Sequence, residues 1–108
     1  MGVMDNQLPE VTPARAVEML SEGAFLLDVR EPDEWNAGHA PEATHIPMGQ
    51  IAARQDELPA GATILCVCHL GGRSAAVTEA LLNAGHQAVN VAGGMEAWAG
   101  TGLPVVKP

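Results

Sequence analysis

The chain has 108 residues, the size of one compact domain, and leaves no room for a second hydrophobic core. Hydrophobic residues make up 47% and charged residues 17%, a globular composition, while Phe25, Trp35 and Trp98 are too few aromatics to offer base-stacking platforms. Thirteen acidic residues against five basic ones give a formal charge of -8, which sets the surface against nucleic acid and anionic membranes.

Residues 1–10 read as an N-terminal extension prone to fraying and 11–108 as a single domain, with the last few residues also expected to fray. The opening MGVMDNQLPE lacks the basic and apolar regions of a signal peptide, and Asn6 stands where a myristoylation signal wants Ser or Thr. No apolar run approaches the roughly 20 residues of a membrane span, so a cytoplasmic protein is expected. Thr12 and Pro13 supply an N-cap and first-turn proline, and Ala16, Val17 and Leu20 recur at helical spacing, which predicts a helix over 13–22 stopped by Gly23. The apolar run 24–29, broken only by Asp28, predicts a strand buried on both faces. A short helix follows from Pro32 to Gly38, with Asp33 and Glu34 favouring its positive end.

Thr44 to Ile46 predicts a short strand, and Gln50 to Glu57 a loose helix. The strongest strand is 62–68 (ATILCVC), followed by a glycine-containing loop and a helix over 73–84 that ends at Gly85. A strand over 87–92, a Gly93-Gly94 turn and a helical turn over 95–99 complete the chain. Strands alternating with helices imply right-handed crossovers, an α/β class and a largely parallel sheet with helices on both faces.

In such sheets ligands gather beyond the carboxyl ends of the strands, which is where Cys68 stands. In the loop Cys68-His69-Leu70-Gly71-Gly72-Arg73-Ser74, the glycines let amides turn inward and the following helix adds its dipole, making an anion cradle. A thiol held there by N–H groups, the dipole and Arg73 is expected to ionise below the free-thiol value and to act as a nucleophile. Set against this is the ordinary role of a free cysteine as a small buried hydrophobe.

The segment CHLGGRS at 68–74 resembles the active-site loop of single-domain rhodaneses, sulfurtransferases whose pattern is Cys, two residues often Arg and Ser, Gly, any residue, Arg, Ser. DVREPDEW at 28–35, GHAPEATHIP at 38–47, NVAGGMEAW at 90–98 and GLPV at 102–105 agree in order and spacing, so the resemblance runs from about Val11 onward. It implies a small sheet of about five strands with Cys68 as the persulfide-forming cysteine. His69, Leu70, Gly71, Gly72, Arg73 and Ser74 correspond to the loop that holds donor and outer sulfur. Asp28 and Arg30 match the family's Asp-Val-Arg, whose role is to support the loops at the strand ends. His69 and Leu70 depart from the common Arg-Ser, removing one fixed positive charge and adding an apolar side chain.

The implied reaction is ping-pong: Cys68 takes a sulfane sulfur from a donor such as thiosulfate and passes it to cyanide, a thiol or a protein thiol. The implied partners are a small sulfur-containing anion or persulfide donor and a thiol or protein acceptor, with no nucleic acid, membrane, metal or organic cofactor. Cys66 shares the strand parity of Cys68 and suits core packing, with a resolving thiol as the alternative. A zinc site from Cys66, Cys68 and His69 lacks convergence and a fourth ligand. His39 suits a hydrogen-bonding loop post, and Trp35 and Trp98 suit core anchors. Two competing functions are a non-catalytic or sulfur-relay binding module and a cysteine-dependent phosphatase or arsenate reductase. The related phosphatases place five residues between Cys and Arg, where this chain has the four residues from His69 to Gly72.

Overall fold

A computed structural model describes residues 8–108. Five strands, β1 (Glu10–Val11), β2 (Phe25–Asp28), β3 (Thr44–His45), β4 (Thr63–Val67) and β5 (Gln87–Val91), form one sheet in the order β1-β5-β4-β2-β3, and every pairing is parallel. Four α-helices accompany them: α1 (Pro13–Ser21), α2 (Pro32–Ala37) and α3 (Gly72–Asn83) between strands, and α4 (Gly94–Gly100) after β5. The parallel α/β architecture is the one the alternating pattern predicts. The Thr12 hydroxyl accepts the Arg15 N–H at 3.1 Å, so α1 starts on its expected cap.

The differences lie where the sequence signal is short. Two-residue β1 has no periodicity to reveal it, yet Glu10 and Val11 pair in register with Asn90 and Val91 of β5. The loose helix expected over 50–57 is a pair of 3₁₀ helices, Met48–Gln50 and Ala52–Glu57, with Arg54 kinked out of helical geometry. The tail is tied down rather than frayed at Val106, which exchanges two backbone hydrogen bonds with His39, at 2.9 and 2.8 Å. Asn6, and with it the lipidation expectation, lies outside the described residues.

Strand alternation divides the core between the two faces of the sheet. Ile64, Cys66 and Cys68 point to the side covered by Val77 and Leu81 of α3 and by Ile51 and Leu58. Leu65 and Val67 point to the other side, against Ala16 of α1 and Met95 and Trp98 of α4. Trp98 is the core anchor expected of it, 1% exposed, with its indole N–H donating to the Pro104 carbonyl at 2.9 Å. Trp35 is not such an anchor: it is half-buried and stacks on the rings of His39 and His45, at 3.4 and 4.8 Å between centroids.

Asp28 ends β2 fully buried and is matched by Arg30 two residues later. The guanidinium grips both carboxylate oxygens, with Nη2 2.8 Å from Oδ2, and Nη2 also donates to the Gly38 carbonyl at 2.8 Å. The pair therefore fixes the end of β2 to the turn at residues 38–39. Its removal has a definite sign: Arg30→Ala leaves a buried carboxylate without its cation and is expected to cost about 3–5 kcal/mol in denaturant unfolding. A loss under about 1 kcal/mol would show that the pair does not hold this edge.

Candidate active site

β4 leaves the ladder at Val67, and Cys68 is the first residue past its end, still 1% exposed. The chain then turns at Gly71, whose φ of 113° is the left-handed conformation that only glycine adopts cheaply, and α3 begins at Gly72. This turn wraps the backbone around the sulfur: the Gly71 N–H donates to Cys68 Sγ at 3.1 Å, and the Ser74 hydroxyl lies 3.3 Å from it. Burial raises the energy of the thiolate, but the Ser74 hydroxyl and the amides of Ser74, Gly71 and Leu70 outweigh it, so the thiol ionises below its ordinary value.

The loop is pinned from outside by α4. The Met95 and Glu96 amides donate to the Cys68 and His69 carbonyls at 2.7 and 3.0 Å. With the loop carbonyls engaged outward, its amides are left facing inward.

Arg73 occupies a different place from the one its charge suggested. It forms a two-pronged pair with Glu34 of α2, at 2.7 and 2.8 Å, rather than standing as a free cation in the cradle. Glu34 makes no hydrogen bond to the Asp28–Arg30 pair; its hydrogen bonds with Arg73 hold its carboxyl down at about 2. Nothing in a first-turn glutamate announces a partner 39 residues away. Asn90 is the second residue without a sequence signal: from β5 it reaches Ser74 Oγ at 2.6 Å and the Gly71 carbonyl at 3.2 Å.

Gly71, Ser74 and Cys68 thus converge, and Arg73 braces the loop against α2. His69 and Leu70 face solvent, Leu70 with 60% of its surface exposed, and His69 borders a shallow cleft with Arg30, Glu34, Met95 and Val105. Asp28 and Arg30 stand behind the loop as supports of the strand ends. His39 is a post, its Nδ1 2.9 Å from the Trp35 carbonyl oxygen. Cys66 is fully buried inside the ladder, where burial pushes its thiol up to about 11. Among the described residues no three of His, Cys, Asp or Glu converge as a metal-ligand set, and no helix is long and apolar enough to cross a membrane.

Residues 12–101 match the family described as the rhodanese-like domain. YtwF of Bacillus subtilis (strain 168) is 36% identical over 91% of this chain and 97% of its own. A protein of Allochromatium vinosum named sulfurtransferase is 36% identical over 82% of this chain and 83% of its own. A rhodanese-related protein from Thermoplasma volcanium superposes with a TM-score of 0.86 at 31% identity, covering 93% of this chain and 99% of its own.

Two titrations follow from the site. Thiolate absorbance against pH is expected to show two well-separated steps, Cys68 below the ordinary thiol value and Cys66 near 11. A Cys68 step at or above the roughly 8.5 of a free thiol would mean that the loop does not stabilise the anion. Glu34, lowered from 4.5 to about 2, contributes stability that is present above the unfolded value and lost as pH falls through the folded one. Glu34→Gln should therefore melt below the wild type at neutral pH, with the difference closing as pH drops from about 4 towards 2; a difference independent of pH would assign the loss to packing alone.

Proposed function

The chain belongs to the rhodanese-like domain family, and we propose that it transfers a sulfane sulfur through a persulfide on Cys68. The observation carrying this reading is the convergence of the Gly71 amide and the Ser74 hydroxyl on the Cys68 sulfur just past the end of β4. The thiolate attacks the terminal sulfur of a donor such as thiosulfate. The donor's S–S bond breaks, sulfite departs with the bonding pair, and Cys68 retains the sulfur as a persulfide. An acceptor thiolate then attacks the outer sulfur, takes it and returns Cys68 to its thiolate. The loop amides serve as fixed donors for the charge on the outer sulfur and on the departing group, and the carried sulfur requires no further cofactor.

A phosphatase reading is disfavoured by the short Cys68-to-Arg73 interval, which leaves a narrow cradle, and by the engagement of Arg73 with Glu34. That same ion pair supports a persulfide donor, small or protein-borne, over a hydrated dianion, because the cation nearest the cradle is already neutralised. The physiological setting this reading suggests is the cytoplasm, with transfer to a thiol or to a protein thiol.

Intact mass after incubation with donor is the direct test. Wild type and Cys66→Ser should gain one sulfur atom and turn over, whereas Cys68→Ser should gain none, lose activity by several orders of magnitude and keep its fold. A folded Cys68→Ser variant that still transfers sulfur would overturn the assignment. Donor preference is tested by His69→Arg combined with Leu70→Ser, which adds a fixed charge and removes an apolar surface. The double variant is expected to raise kcat/KM for thiosulfate at low ionic strength, with the gain shrinking as salt screens the exposed charge. A loss with thiosulfate, in an enzyme that uses organic persulfides well, would instead make His69 and Leu70 a specificity surface.

A further inference from the structure

Asn90 lies on β5 with 3% of its surface exposed, its Cα paired with Cys66 of β4 and Glu10 of β1. Its Nδ2 is 3.2 Å from the Gly71 carbonyl and 3.5 Å from the Glu10 carboxylate. Both of those groups only accept, so the amide nitrogen belongs on that side and Oδ1 is turned to Ser74. Oδ1 also only accepts, and the contact between it and Ser74 Oγ is 2.6 Å, against 3.3 Å from Oγ both to Cys68 Sγ and to the Gly71 carbonyl oxygen. A hydroxyl carries one proton, and the shorter contact takes it.

We infer that Asn90 is a positioning residue that holds the single Ser74 hydroxyl proton away from Cys68 while the sulfur is uncharged. This rests on the reading of Cys68 as the nucleophile. With the thiol protonated, its own S–H donates to Ser74 Oγ and the hydroxyl donates on to Asn90 Oδ1, a continuous chain. Once the sulfur is a thiolate the chain is broken, because sulfur and Oδ1 then compete for one proton, with the Gly71 carbonyl as a third, more distant acceptor than Oδ1. Rotating the hydroxyl to the sulfur leaves a buried amide oxygen without its donor; leaving it in place leaves the thiolate to the amides alone. Asn90 therefore favours the protonated sulfur and keeps the thiolate less stabilised than Ser74 alone would make it. In the persulfide the charge moves to the outer sulfur, where the loop amides take it, and the hydroxyl returns to Asn90.

A plain bracing role for Asn90 predicts the opposite sign. If its work were to hold the Gly71 carbonyl, its loss would loosen the amide cradle and make Cys68 harder to ionise. The Gly71 carbonyl also accepts the Ala75 N–H at 3.1 Å, so it keeps a partner when the Asn90 amide is removed. The charged and titratable groups on the surrounding elements are His69 and Arg73 on the loop, Glu34 and Glu31 paired with or near Arg73, Asp28 and Arg30 beyond β2, Cys66 on β4, Glu10 on β1 and Glu96 at the start of α4. Of these, Glu10 shares a side-chain hydrogen bond with Asn90, for which Glu10→Gln controls, and Cys66 is its register partner on β4, for which Cys66→Ser controls.

The test is a thiolate-absorbance titration in a Cys66→Ser background, which requires no substrate and so separates this inference from the sulfur-transfer reading. Asn90→Leu, close in size and without an acceptor, is expected to lower the Cys68 midpoint by roughly 0.5–1 pH unit, the scale of one hydrogen bond. Asn90→Ala, which leaves space rather than filling it, should shift it the same way if the leucine variant does not fold. In a Ser74→Ala background, adding Asn90→Leu should change nothing. A midpoint that rises in the Asn90 variants, or one that falls equally with and without the Ser74 hydroxyl, overturns the inference.

Discussion

The site depends on two hydrogen bonds that run between backbones: the amides of Met95 and Glu96 to the carbonyls of Cys68 and His69. A loop carries as many backbone acceptors as donors, and it can turn its N–H groups towards a sulfur only if its carbonyls are satisfied elsewhere. The first turn of α4 meets that need, since its amides have no helical partner of their own. The contact is possible only at glycine, because a Cβ on Gly94 would overlap the backbone of both Cys68 and His69. The GG turn after β5 is therefore part of the candidate site, holding the loop through its backbone.

Because the loop is held by backbone contacts, charged residues are free to act as braces. The two arginines nearest the site are both paired with carboxylates, Arg30 with Asp28 beneath the strand ends and Arg73 with Glu34 across the mouth. The electrostatic support for the sulfur comes instead from dipoles set in advance, the amides of Leu70, Gly71 and Ser74 and one hydroxyl. Such groups need not reorganise when charge develops, and they suit a chain whose formal charge of -8 repels free anions.

How much of this was legible in the sequence depended on the range of each interaction. The α/β alternation, the Thr12 cap, the strand ending at Cys68 and the inward-turning glycine loop are local, and short stretches of chain specify them. The expectation that Arg73 would lend its charge to the cradle followed from proximity along the chain; its pairing with Glu34 follows from where α2 sits after folding. Asn90 was invisible for the same reason, since an asparagine within a strand signals nothing until β5 lies beside β4 and brings it to Ser74. β1 is too short to show a period, and it is defined by the edge of β5 on which it docks.

Cys66 and Cys68 show how far position along a strand governs chemistry. They are the same residue type, two apart, on the same face of the sheet and in the same apolar cluster. Cys66 stands within the ladder, its Cα partners being Leu27 on one side and Asn90 on the other, and its neighbours' amides are engaged in the sheet. Burial there acts without opposition from backbone donors, and the thiol is pushed up. Cys68 stands one residue past the last rung, where the chain leaves the sheet and its next amides have no strand to pair with. Those amides turn to the sulfur, and the same burial is more than offset. What separates an inert core thiol from a candidate nucleophile here is a distance of two residues across the end of a parallel sheet.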